Sequence, residues 1–214
     1  MNAIANFKDY IMNKKAVLAI IFLISLIVLL VLIKTNAIHA FDMTIYNMLI
    51  SNMNESLTNF FKMITFLGGT SGISAFCLLA LIIGIILKKG KMGFLIFGCT
   101  LVNWILNEVL KNIIQRPRPE ILRLIPETSY SFPSGHTLAS LSVCGILIYL
   151  ILRSGLNRTI KIILTVLLTV FPILVGASRI YLGVHYASDV LGGILFALIL
   201  LLMEIIIIEK KEFL

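Results

Sequence analysis

The chain has 214 residues, 59% of them hydrophobic and 13% charged, with a mean hydropathy of +1.05 and a formal net charge of +8. Apolar residues gathered in long blocks, rather than along one face of each segment, exclude both a disordered chain and an ordinary water-soluble domain. The basic residues form no aromatic-interleaved stripe, so no nucleic-acid partner is expected.

Six apolar blocks occupy residues 16–33, 71–87, 92–110, 135–152, 162–177 and 190–208. Each is close to the ~17 to 25 residues that cross the hydrocarbon core of a bilayer. The sequence therefore predicts an all-α integral membrane protein, a six-transmembrane helix bundle that forms one domain over residues 1–214. Barrel strands would alternate in polarity instead of running apolar. The first block starts after fifteen residues and meets Lys34 with no A-x-A cleavage site, so it is expected to be a retained helix rather than a signal peptide.

In this layout Lys8, Lys14 and Lys15, then Lys88, Lys89 and Lys91, then Arg153, Arg158 and Lys161, then Lys210 and Lys211 share one side, 11 of the 18 basic residues. That side is expected to be cytoplasmic and to hold both termini. Between the first two spans, Leu57, Phe60, Phe61 and Ile64 recur at helical spacing within residues 41–66. The pattern predicts short helices in the outer interface, with a plain outer loop packed on the bundle as the alternative. Residues 115–133 carry Pro117, Pro119, Pro126 and Pro133, which exclude a long helix there. Pro172 is expected to kink the fifth span, and Cys77, Cys99 and Cys144 read as buried small apolar groups without a disulfide or metal role.

Charged groups beside lipid are costly and are functional candidates for that reason. Lys111 ends the third span, Ser134-Gly135-His136 opens the fourth, Arg179 closes the fifth, and His185 with Asp189 opens the sixth, all at the outer end. His185 and Asp189, four apart, would stack on one helix face. The carboxylate could then hold one ring nitrogen as a donor and leave the other free to attack. The same row runs on through Gly193 and Ala197, small residues that allow close helix approach, so it should face the bundle. His136 supplies a second imidazole able to protonate a leaving group and then activate water.

Lys111, Arg118 and Arg179 match an anion with several oxygens, and the backbone N–H groups of Ser134 and Gly135 at a helix start would add donors. Together they specify a phosphate, held at lipid depth, so a membrane lipid phosphate is the expected substrate. Arg116 and Arg123 stand outside this set and are expected to meet lipid headgroups or solvent, with a second substrate phosphate as the alternative. Glu127, nine residues before His136, could tune that histidine or be a solvated loop acid. Asn103 and Asn107 share a face with Lys111 and are expected to hydrogen-bond between helices. A metal held by His136, His185 and Asp189 is not expected among three cations, and no cofactor or protein partner is indicated.

Lys111 followed by six residues and Arg118-Pro119, then Pro133-Ser134-Gly135-His136, then Ser178-Arg179 with five residues to His185 and three more to Asp189, resemble the three-part signature of the type 2 phosphatidic acid phosphatase superfamily. Within it the chain is most similar to bacterial membrane phosphatases of the phosphatidylglycerophosphatase B type. The resemblance implies a metal-independent phosphatase in which His185 attacks phosphorus to give a phosphohistidine, Asp189 orients it and His136 protonates the leaving oxygen. It further implies that Lys111, Arg118, Ser134, Gly135 and Arg179 hold the phosphoryl oxygens. The implied substrates are phosphatidylglycerol phosphate, undecaprenyl diphosphate or phosphatidic acid at the outer face. The competing expectation is an anion or phospholipid transporter that binds at the same basic site without chemistry, marked by repeated halves and broken spans.

Overall fold

In the computed structural model, which describes residues 2–86 and 90–210, the chain folds into eight helices: α1 (Asn2–Lys34), α2 (His39–Ile50), α3 (Glu55–Gly68), α4 (Thr70–Ile86), α5 (Gly90–Ile114), α6 (Gly135–Arg153), α7 (Arg158–Tyr181) and α8 (Ala187–Lys210). Leu87, Lys88, Lys89 and Lys211, used above to place a span end and the inner charges, lie outside the described residues, as does the side chain of Lys8.

Five helices, α1 from Tyr10 onward, α5, α6, α7 and α8, are long and apolar enough to span a membrane. α3 and α4 meet the same test only as a pair, bent by 48° across Gly69, which brings the candidate spans among the described residues to as many as six. The stretch between the first two spans is thus two helices, as the spacing predicts, but α3 runs directly into a span. Asn54 caps its start, its side chain accepting from the Leu57 N–H at 2.9 Å. Of the predicted row, Phe61 and Ile64 are buried, whereas Phe60 is exposed. Phe61 stacks on Tyr181 of α7 with ring centroids 4.7 Å apart, and the Thr58 and Tyr181 hydroxyls meet at 2.9 Å.

Most large apolar side chains of α1, α4 and α5 point outward, including Ile20, Ile24, Leu79, Ile86 and Trp104, as a lipid-facing surface requires. The interior is built from apolar clusters, such as Val143 and Ile146 of α6 packed with Ile73, Cys77 and Ile96, with small residues and buried polar groups at close helix contacts. Gly193 lets α8 lie against the start of α6: a Cβ there would stand 2.8 Å from the Ser134 carbonyl oxygen. Ala197, one turn on, is fully buried, so the row through Asp189, Gly193 and Ala197 does face the bundle. At the opposite end Glu209 of α8 binds Lys15 of α1 and Arg153 of α6, tying three spans together.

The loops at the other end are held by backbone contacts. Leu124 donates to the Leu182 carbonyl at 3.0 Å, and Ser131 donates to the Arg116 carbonyl at 2.8 Å. Gly183 adopts φ +73°, and a Cβ there would lie 2.1 Å from the Leu122 oxygen, so conformation and space both demand glycine. Pro172 lies inside α7, which continues to Tyr181. The three cysteines are unpaired.

Candidate active site

The C-terminal ends of α5 and α7, the N-terminal ends of α6 and α8, and the loop over residues 115–134 converge at one end of the bundle. They enclose a cavity of about 390 Å³. Its polar end is lined by Lys111, Arg118, Glu127, Gly135, His136 and His185, and its apolar end by Ile73, Phe97, Leu101 and Trp104. Residues scattered over 75 positions of sequence therefore share one chamber.

His185 precedes α8 rather than riding on it, because the helix begins at Ala187. The expected stacking on one helix face is replaced by a turn over residues 182–186 that folds the ring back to Asp189. His185 is 2% exposed and Asp189 is fully buried. Nδ1 of His185 lies 3.4 Å from Asp189 Oδ2, and Nε2 lies 3.3 Å from Arg118 Nη1. A guanidinium can only donate, so the lone pair of the ring is on Nε2 and the proton on Nδ1 faces the carboxylate. Burial pushes the His185 imidazole down to about 4, against the pull of Asp189 and with help from Arg179 and Arg118. The ring is consequently neutral at physiological pH, with Nε2 toward the cavity.

Arg118 is locked in place: Nε donates to the Ser129 carbonyl and Nη1 to the Val184 carbonyl, each at 2.7 Å. Arg179 donates from Nη1 to Thr65 Oγ1 at 2.7 Å, and its Nε has no partner among the described residues. Lys111, buried at the end of α5, reaches Ser129 Oγ at 3.1 Å instead of extending outward. Lys111 and Arg118 thus face the cavity, and Arg179 reaches it through Glu127, which lines it. His136 also faces it, with Nε2 3.0 Å from the place a Cβ on Gly69 would take.

Glu127 binds the two guanidiniums, not His136. Oε2 accepts from Arg118 Nη2 at 3.4 Å and Oε1 accepts from Arg179 Nη2, so the carboxylate bridges the pair. Burial pushes the Glu127 carboxyl up, but Arg179 and Arg118 outweigh it and hold the group below the usual carboxylate range. An ionised carboxylate consequently occupies the place between Arg118 and Arg179 where an anion's oxygens would bind.

Two further expectations are corrected. Arg116 does not reach headgroups or solvent as its main contact: Nη1 donates to Asp189 Oδ1 at 2.6 Å and Nη2 to Asp42 Oδ2 at 3.0 Å. The Ser134 N–H is spent on the Asp189 carbonyl at 3.0 Å, so of the expected pair only the Gly135 N–H is left for a ligand at the start of α6. Asn103 and Asn107 are buried beside Lys111 as their face predicts: Asn103 lies against Glu204 of α8, and Asn107 meets Glu108 at 3.4 Å. Arg123 is exposed and holds the Pro119 carbonyl at 3.0 Å. Among the described residues no group of three His, Cys, Asp or Glu side chains is placed to hold a metal ion.

Sequence reasoning missed Asp42 and Ser131. Asp42, in the first turn of α2, is 1% exposed, and its two oxygens accept from the Ser188 N–H and Ser188 hydroxyl, each at 2.7 Å. Ser131 donates to Asp189 Oδ2, which also accepts the Tyr186 N–H at 2.8 Å. The one available signal was the single carboxylate in the mixed stretch of residues 39–50, which the cost of charge near lipid marks as functional.

Known proteins resemble this chain in sequence and fold. The phosphatidylglycerophosphatase B of Bacillus subtilis (strain 168) is 34% identical over 182 residues, covering 81% of this chain and 86% of that protein. The undecaprenyl-diphosphatase BcrC of the same organism is 31% identical over 101 residues, covering 45% of this chain and 47% of that protein. The crystal structure of the transmembrane PAP2 type phosphatidylglycerolphosphate phosphatase from Bacillus subtilis superposes with a TM-score of 0.80 at 30% identity, over 91% of this chain and 96% of that one. The sequence profile described as "PAP2 superfamily" matches residues 92–213, which span α5 to α8 and the whole of the basic and histidine set. With likeness of sequence running across most of both chains and likeness of fold across nearly all, this chain belongs to the PAP2 superfamily and is a multi-pass membrane phosphatase.

Proposed function

We propose that the protein removes phosphate from a lipid phosphate monoester or diphosphate, without a metal ion, through a phosphohistidine on His185. The observation that carries this reading is the ring of His185: Nδ1 faces Asp189 and Nε2 faces the guanidinium cluster at the polar end of a cavity whose other end is apolar. Phosphoryl oxygens held by Arg118, Arg179 and Lys111, with the N–H groups of Gly135 and His136 at the start of α6, would place phosphorus in front of Nε2. Ser134 belongs to this set by joining α6 to α8 behind the phosphate, through its bond to the Asp189 carbonyl.

Attack by Nε2 forms the N–P bond as the ester P–O bond breaks, and the leaving oxygen takes a proton from His136. Water, deprotonated by the same His136, then attacks the phosphohistidine and releases inorganic phosphate and free His185. Asp189 stabilises the charge that the imidazole carries between the two steps. The cations meet charge that grows in each transition state, and this is where electrostatic preorganisation contributes most. Glu127 must yield its place between Arg118 and Arg179 for the phosphate to enter.

The relatives' names supply two substrate classes, phosphatidylglycerol phosphate and undecaprenyl diphosphate, and phosphatidic acid is a further lipid phosphate that the motif resemblance implies. The site lies at the end of the bundle opposite Lys15, Arg153 and Glu209, and the bias of basic residues toward that opposite end supports an extracytoplasmic site with both termini cytoplasmic. Transport without chemistry fits less well, since the described residues hold one broken helix pair with no counterpart in the other half.

The test is phosphate release by purified protein in detergent from a panel of these three lipids, with and without chelator. His185→Ala and His136→Ala are expected to abolish release while chelator leaves it intact. His185→Ala protein that still releases phosphate at the normal rate sinks the reading.

A further inference from the structure

The profile match begins at residue 92, yet one fully buried side chain of the catalytic end comes from α2, far upstream. Asp42 and Asp189 are both buried carboxylates, and a single guanidinium, that of Arg116, lies between them. Its Nη1 also donates to the Ser188 hydroxyl at 2.8 Å, and its plane sits 4.1 Å over the Tyr186 ring. Ser188 in turn donates both its N–H and its hydroxyl to Asp42. Every side chain between residues 186 and 189 that carries a polar group is thus tied to Arg116, to Asp42, or to both.

We propose that Asp42 and Arg116 form a positioning pair that holds the Asp189 carboxylate at the angle from which it orients His185. This rests on the phosphatase reading above. Asp189 Oδ2 already accepts from Ser131 and from the Tyr186 N–H, and its approach to His185 Nδ1 is 3.4 Å. At that separation Nδ1 has no hydrogen-bond partner among the described residues, so the pairing depends on the angle of the carboxylate and a small rotation would weaken it further. Rotation is resisted on the Oδ1 side by Arg116 alone among the described residues. Arg116 is fixed in turn by its second fork on Asp42 and by the ring of Tyr186. A planar guanidinium bridging two carboxylates holds both charge and angle, which an ammonium cannot do. Neither Asp42 nor Arg116 lines the cavity, so neither touches substrate. Partners that orient a reacting side chain from behind are worth about 10- to 100-fold where such shells have been measured.

The experiment compares Asp42→Asn, Arg116→Lys and the double variant with wild type, measuring kcat and KM for a soluble phosphate monoester in detergent. Rates are normalised to the folded fraction from thermal unfolding. Wild type and His185→Ala run alongside, so that failure of the phosphatase reading, seen as activity that survives His185→Ala, is separated from failure of this one. The expected result is a 10- to 100-fold lower kcat per folded molecule in each single variant, KM within about twofold, and a double variant no slower than the worse single one. A purely structural role would lower Tm and folded yield but leave normalised kcat at wild-type level, and that result overturns the proposal. Losses that multiply in the double variant overturn it too, since the two residues would then act apart.

Discussion

Replacing Glu127 with Gln removes one charge from the site at nearly constant shape. In the unliganded protein the carboxylate bridges Arg118 and Arg179, whose side chains are 5% and 1% exposed. An incoming phosphate must break both contacts before it can make its own. Hydrogen bonds to charged groups contribute about 1.5–3 kcal/mol net, and Glu127, at 23% side-chain exposure, is screened only in part. Sparing the ligand that displacement, and the repulsion that follows, should tighten anion binding by about 1.4–2.8 kcal/mol, or about 10- to 100-fold. The assay is competitive inhibition of a soluble phosphate monoester by inorganic phosphate and by vanadate. Thermal unfolding provides a second readout: without phosphate the variant should melt lower, because two buried guanidiniums lose their partner, and added phosphate should raise its Tm more than that of wild type. An inhibition constant for phosphate that is unchanged or larger in Glu127→Gln refutes the idea that this side chain holds the anion's place.

Other outcomes follow from the same geometry. The folded His185 imidazole titrates near 4 rather than at the ordinary 6.5, so between these values the unfolded chain binds a proton that the folded chain refuses. Stability should therefore be complete above pH 6.5 and fall by up to ~3 kcal/mol as pH drops toward 4. Unfolding scans at pH 7 and pH 5 should show this slope in wild type and a shallower one in His185→Gln; equal slopes contradict it. Gly193→Ala places a methyl 2.8 Å from the Ser134 oxygen and 3.3 Å from Thr137 Cβ, with backbone on one side that cannot rotate away. It should cost about 1–3 kcal/mol in stability and lower phosphate release by prying α6 from α8, as Tm and turnover together would report. Arg118→Lys keeps the charge but loses the fork that spans the Ser129 and Val184 carbonyls beside His185. Its kcat/KM should fall by about 10²-fold or more, and a loss under threefold would show that charge alone suffices.

The membrane bundle was legible because its signal is local. A block such as residues 190–208 has Glu204 as its one charged residue and is otherwise apolar around the helix, which lipid and a helix satisfy, so span and architecture follow from composition along the chain. The junction of α3 and α4 was not, since a lone Gly69 between two apolar segments gives no measure of the 48° bend there. The candidate set was legible as residue types at fixed spacing: Lys111, Arg118, His136 and His185 line the same cavity, and Arg179 binds Glu127 at its wall. The reason offered for one spacing was mistaken: His185 reaches Asp189 through a turn ahead of α8, not along a helix face.

What the sequence by itself determined is which residues sit at the ends of the spans, because hydrophobic blocks set where each helix leaves the hydrocarbon and motif spacing counts from those ends. Only the tertiary structure decided how those residues pair. Arg116 was dismissed for lying off the motif, yet it holds two buried carboxylates, one of them 74 positions away. By its sequence position Glu127 could tune His136 or be a solvated loop acid, but it binds Arg179, 52 positions on. The Ser134 N–H was assigned to a ligand and is used by α8. Such pairings have no period along the chain. They arise when separate helices and a proline-rich loop pack together and each buried charge must take the nearest partner of opposite sign.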